Sequence, residues 1–398
     1  MTTMWHYVFW ISLGLLVYML LGYPLILLVV RRLRRRRSVP AEPEELPTVT
    51  CIIPAHNEER VLQAKLENAL ALDYPRDRLE IVVASDGSAD RTVEIAQSFA
   101  PRGVRVLEFS ARRGKASVLN DACAEATGQV LCLCDANVMF QRDALQHLVR
   151  PLDDTQVGAV TGVVLLASEE SNFGEGESFY YLLERAVQLA ESDVGSLMGV
   201  DGGMYVIRRE LFQALPAETI LDDFAISMQA VRNGQRVVYQ PLARATESGT
   251  PTATQEFRRR LRMAAGTVQI LKWGYFPRLR QPVLLWQFLS HKLVRWVGPW
   301  LLLTLLLANI ALWSAGPFFQ GLLVAQLAVY ATALVAAVYV PLRGTRVTGV
   351  VFYFVMSQFA MALGVIRGLL NLQKVTWVQA ERLSDGSAEP RPTEQISP

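Results

Sequence analysis

Charge is missing from long tracts of this 398-residue chain. Met1 to Val30 contains no Asp, Glu, Lys or Arg, and neither does the stretch between Arg295 and Arg343. Each exceeds the roughly 20 apolar residues that cross a bilayer, and buried helices of soluble domains seldom run so long uncharged. A membrane component is therefore expected. No charged segment precedes the first tract and no small-residue cleavage site follows it, which argues against a removable signal peptide.

Cysteine and histidine are scarce, with four of each. Cys51, Cys123, Cys132 and Cys134 fall in apolar stretches without paired C-x-x-C units, and no histidine sits in an H-E-x-x-H frame. The thiols read as reduced core residues, and any metal must be held by oxygen. The net charge is only +2, too small for general polyanion binding, so no nucleic-acid partner is expected. Internal repeats are also absent.

What is present is apolar surface, with 51% hydrophobic residues and a mean hydropathy of +0.23. Arg31, Arg32, Arg34, Arg35, Arg36 and Arg37 follow the first tract directly, which places residue 31 onward in the cytoplasm by the bias of basic loops. Gly316-Pro317 divides the second tract into spans near 296–315 and 318–340, and Arg346 to Arg367 brackets a third. The expected organisation is an anchor at 1–30, a basic and proline-rich linker at 31–47, a catalytic domain at 48–245, interfacial helices at 246–295, three membrane helices at 296–372 and a polar tail at 373–398. That makes a multi-pass protein of the inner (plasma) membrane with its catalytic domain cytoplasmic.

Within 48–245, apolar β-branched runs at 49–53, 80–84, 104–109 and 129–134 alternate with helix-length amphipathic stretches. This is the pattern of βαβ units and a mostly parallel sheet. Ligands of such sheets gather at the carboxyl ends of the strands, where "PAHNE", "SDGS" and "DAN" follow the first, second and fourth runs. Asp, Ser and Asn are also ordinary capping and turn residues, so it is their convergence on one edge that carries weight.

Seven motifs occur in order: "PAHNEE" at 54–59, "DGSADRT" at 86–92, "GKASVLN" at 114–120, "DAN" at 135–137, "DGGMYVIRR" at 201–209, "LDD" at 221–223 and "RRLRM" at 259–263. In them the chain resembles the membrane-embedded family-two glycosyltransferases, the group of cellulose, hyaluronan, chitin and poly-N-acetylglucosamine synthases. The resemblance implies a GT-A fold, Rossmann-like with a mostly parallel sheet, joined to transmembrane helices and interfacial amphipathic helices. It implies an inverting enzyme that moves a sugar from a UDP-linked donor to a saccharide or lipid acceptor.

The same resemblance assigns roles. Asn57, Glu58 and Asp86 line the nucleotide pocket, with Asp86 reading uracil. Lys115, Arg259, Arg260 and Arg262 face the diphosphate. Asp135 holds Mg²⁺ or Mn²⁺, with Asn137 where relatives carry a second aspartate; an amide oxygen can ligate a hard cation, but without formal charge. Asp223 is the general base with Asp222 beside it, although either could instead cap the helix that starts there. Gly202 and Gly203 lie on the acceptor side. Met263 stands where processive relatives present tryptophan. A catalytically lapsed nucleotide-sugar sensor is the alternative, favoured mildly by Asn137.

Overall fold

The computed structural model describes residues 2–33, 45–166, 175–247 and 253–373. Residues 34–44, most of the expected linker at 31–47, and the polar tail from residue 374 lie outside the described residues.

Among the described residues, eight strands form one sheet: β1 (Val49–Ala55), β2 (Leu79–Asp86), β3 (Val104–Phe109), β4 (Val130–Cys134), β5 (Val138–Phe140), β6 (Val157–Leu166), β7 (Met204–Arg208) and β8 (Arg236–Glu247). Their order is β3-β2-β1-β4-β7-β6-β8-β5. The first four pair in parallel, as the alternating pattern predicts. Beyond β4 the sheet turns mixed, because β7 runs antiparallel to both β4 and β6. β1 and β4 are buried along their whole length; β4 reads as an unbroken apolar run and β1 as one interrupted by Thr50. At the outer edge, β3 presents Arg105 and Glu108 among its apolar residues, which discourages pairing with another chain.

Among the described residues, four helices are long and apolar enough to cross a membrane: Thr2–Leu33, Pro282–Ala311, Pro317–Val338 and Val347–Leu369. The first contains a π-helical turn at Tyr18–Gly22 and the second another at Phe288–Leu293. These turns face one another, since Tyr18 Oη lies 2.7 Å from Ser290 Oγ and accepts a hydrogen bond from Trp286 Nε1 at 3.0 Å. The boundary expected at residue 295, between an interfacial helix and a span, falls inside one continuous helix. A π turn absorbs an extra residue without breaking the rod, which the sequence pattern does not reveal.

Two contacts of these apolar helices with the rest of the chain bear on the site. Tyr23 of the first helix and His291 of the second both meet the fully buried Glu191, on the helix Glu175–Val194. Elsewhere the helix Ala253–Trp273 lies along Arg346–Leu369, at a crossing that only glycine permits. A β-carbon at Gly364 would fall 2.4 Å from the Leu261 carbonyl oxygen, and one at Gly368 2.7 Å from that of Ala265. The helix that carries the arginine motif is thereby fixed against a membrane helix.

Candidate active site

The loops at the carboxyl ends of β1 and β2 are bound to each other. Asn57 adopts a left-handed backbone conformation (φ 56°), which asparagine tolerates better than most residues, and its Oδ1 accepts the Ala89 N–H at 2.8 Å. The Glu58 N–H donates to Thr92 Oγ1 at 2.7 Å. Asp86 is fully buried, and its two oxygens accept the N–H groups of Arg113 at 2.6 Å and Gly114 at 2.9 Å. In this arrangement the Asp86 carboxylate shapes the turn that launches the helix Lys115–Glu125.

Lys115, the first residue of that helix, is the hub of the site. Its Nζ lies 2.8 Å from Asp135 Oδ1 at the end of β4 and 3.3 Å from Asp222 Oδ2 at the start of the helix Asp222–Arg232. Burial works against the lysine's charge, but Asp135 and Asp222 outweigh it and hold the pKa above the ordinary lysine range. Residues 20 and 107 positions downstream in the sequence thus meet one ammonium group.

Asp223 follows immediately. Burial, with repulsion from Asp222, pushes its carboxyl up to about 7, against the opposing pull of Lys115. The N-cap position is Leu221, and Asp223 Oδ1 accepts the first-turn Phe224 N–H at 2.7 Å, so this carboxylate also satisfies one of the helix's free amides. The loop carrying Gly202 passes close by: a β-carbon on that glycine would lie 2.7 Å from Asp223 Oδ2. The neighbouring Gly203 N–H donates to Asp201 Oδ1 at 3.0 Å.

The three motif arginines part company. Arg259 and Arg260 both pair with Glu256, at 2.9 and 2.6 Å. Arg262 instead lies in the field of Asp222, Asp223 and Asp135, and its buried Nε finds no hydrogen-bond partner among the described residues. A buried donor left unpaired asks for an acceptor. Met263 is exposed (42%). Trp273, ten positions along the same helix and so roughly 15 Å away by helical rise, packs edge-on against Tyr275.

Asn137 does not stand alone. Its Nδ2 donates to Glu247 Oε1 at 3.0 Å, a residue at the end of β8 that belongs to none of the sequence motifs. Burial raises the Glu247 carboxyl above its ordinary range; the Asn137 hydrogen bond opposes the shift, while Asp135 and Asp201 add to it. From the other side the buried Lys65 donates to the Val138 carbonyl at 2.6 Å, and Asn68 bonds both backbone groups of Phe140 at 2.8 Å. Nothing in the spacing of Lys65, Asn68 and Glu247 marks them, because each acts only once helix, turn and strand have come together.

Among the described residues, no three His, Cys, Asp or Glu side chains gather closely enough to hold a metal unaided. Asp135 and Asn137 offer hard oxygen donors only, a set that suits Mg²⁺ or Mn²⁺ when water and substrate phosphates complete the coordination. The donor chemistry therefore fits the ion.

The sequence profile of glycosyl transferase family 2 matches residues 50–215. A probable glycosyltransferase of Bacillus subtilis, YdaM, is 30% identical over 281 residues, 66% of this chain and 66% of its own length. Through residues 50–215, this chain belongs to glycosyl transferase family 2. The poly-β-1,6-N-acetyl-D-glucosamine synthase of Staphylococcus aureus is 24% identical over 60% of this chain and 58% of its own. The chain thus spans about two thirds of the Bacillus protein and less of the staphylococcal one. Among solved structures, the mannosyltransferase PcManGT of Pyrobaculum calidifontis, in complex with GDP-Man and Mn²⁺, is 25% identical with a TM-score of 0.69, over 92% of this chain and 100% of that one. The matched family segment ends before Asp222, Asp223 and the arginine helix, so the second half of the site comes from outside it.

Proposed function

We propose that the chain is a membrane-bound glycosyltransferase that moves a sugar from a nucleoside diphosphate donor to a hydroxyl of a saccharide or lipid acceptor, with inversion at the anomeric carbon. The observation that carries this reading is the meeting of Asp135, Asp222 and Lys115, with Asp223 beside them and its carboxyl poised near neutrality. Such a carboxylate takes a proton well at physiological pH. As the acceptor oxygen attacks the anomeric carbon, its proton passes to Asp223, and the bond from that carbon to the diphosphate breaks with its electron pair on the leaving oxygen. Lys115 and Arg262 supply positive charge toward that oxygen. Asp135 and Asn137 would hold Mg²⁺ or Mn²⁺, which when bound neutralises charge on the departing diphosphate.

The resemblance of the motifs points to a UDP-linked donor, whereas the Pyrobaculum mannosyltransferase binds GDP-Man. The test runs both. Full-length protein in lipid nanodiscs is given a panel of UDP- and GDP-sugars with Mn²⁺, and released nucleotide and glycosylated product are measured. Turnover with one donor, lost in Asp223→Asn, supports the reading; no turnover with any donor in the presence of lipid extract overturns it. The cytoplasmic placement rests on Arg31 and Arg32 in the last turn of the first helix, and protease accessibility in inside-out vesicles tests it.

A further inference from the structure

The altered metal pair leaves a puzzle of charge. Asn137 stands where a carboxylate would give a divalent cation its second anion, and an amide brings none. Glu247 faces that amide at hydrogen-bond distance, Asn137 Nδ2 to Glu247 Oε1 at 3.0 Å. The contact is set by the sheet, since β5 and β8 pair antiparallel with Val138 opposite Glu247. Asn137 thus reaches Glu247 from the position just before the paired strand.

We propose that Glu247 is a positioning residue for the metal: it orients the Asn137 amide and returns to the site the negative charge that the asparagine lacks. This rests on the metal-dependent reading above. Asn137 presents its amide nitrogen to Glu247 Oε1 and so directs its oxygen the other way. The amide is fixed in the one orientation that leaves its oxygen free as a ligand. A carboxylate bonded behind a metal ligand also makes that ligand a better donor, and loss of such partners typically weakens metal affinity by about 10- to 100-fold. Asp135 at the end of β4 and Glu247 at the end of β8 together bring to the site the two carboxyl groups of a two-aspartate pair.

The experiment measures Mn²⁺ binding directly, from the loss of the free-ion electron paramagnetic resonance signal, with full-length protein in nanodiscs and saturating UDP or, separately, GDP. Glu247→Gln is expected to weaken Mn²⁺ binding about tenfold. The double variant Asn137→Asp/Glu247→Gln exchanges carboxylate and amide across the same hydrogen bond and is expected to bind within about twofold of the unmodified protein, because net charge and bond are both retained. Recovery in the double variant also shows that the single variant was folded. Glu247→Gln binding Mn²⁺ as tightly as the unmodified protein, while Asp135→Ala does not, overturns the role of Glu247 and leaves the metal site intact. A weakened single variant that the double does not recover also overturns it. An unmodified protein that binds no Mn²⁺ with either nucleotide overturns this inference and the metal-dependent reading together.

Discussion

Gly202 and Asp223 are in contact across the mouth of the site: a side-chain carbon at the glycine would stand 2.7 Å from the aspartate's Oδ2. The loop carrying Gly202 and the candidate base therefore share a space that tolerates no added methyl. Gly202→Ala is expected to displace Asp223 and lower kcat about tenfold or more, while nucleotide binding, which depends on residues at the other strand ends, changes little. Isothermal titration with UDP or GDP beside steady-state kinetics separates the two, and a variant with normal kcat would detach the loop from catalysis.

The proton balance at Asp223 has a sign that can be checked. A general base works deprotonated, and burial with Asp222 nearby raises this carboxyl to about 7, so kcat/KM should climb as pH rises through neutrality and level off above it. Lys115 pulls the same group downward. Removing that cation in Lys115→Met should move the rising limb to higher pH, in addition to weakening diphosphate binding. A limb that stays in place or moves to lower pH would show that Asp223 is not the group being titrated.

At Gly364 the membrane part of the chain touches the arginine helix. Gly364→Leu must push Leu261 and Ala264 away, at a typical overpacking cost of about 1–3 kcal/mol. Because Arg262 adjoins Leu261, activity should fall further than stability. Thermal unfolding in detergent, measured alongside turnover, would show whether the two losses are separable; equal retention of activity and of melting temperature would place this contact outside the functional unit.

Short products are expected, one or a few sugars per acceptor. Met263 is exposed where processive relatives carry tryptophan, and a flexible thioether holds a sugar ring less firmly than an indole. Trp273 cannot take over, since it lies roughly 15 Å further along the helix. Met263→Trp should lengthen the products when sized under excess donor, and long chains from the unmodified protein would refute the expectation.

Much of this protein is legible along the chain. Uncharged tracts announce the long apolar helices, largely apolar runs announce β1 and β4, and polar clusters follow those runs at one sheet edge, because burial and strand register leave a linear trace in residue type. The aspartates at 135, 222 and 223 were visible as motif members for the same reason. The sheet's change to mixed pairing beyond β4 was not visible, since β7 reads as an apolar run like the parallel strands before it.

Tertiary structure alone decided how those residues are partnered. It brought Lys115 between Asp135 and Asp222, bonded the Asp86 carboxylate to the turn at Arg113 and Gly114, separated Arg262 from Arg259 and Arg260, and set Glu247 behind Asn137. The physical reason is that sequence pattern records which residues avoid water, whereas charge and hydrogen bonding act over a few ångströms between groups that lie 20 to 110 positions apart in the chain. Such distances come into being only when the strands have paired.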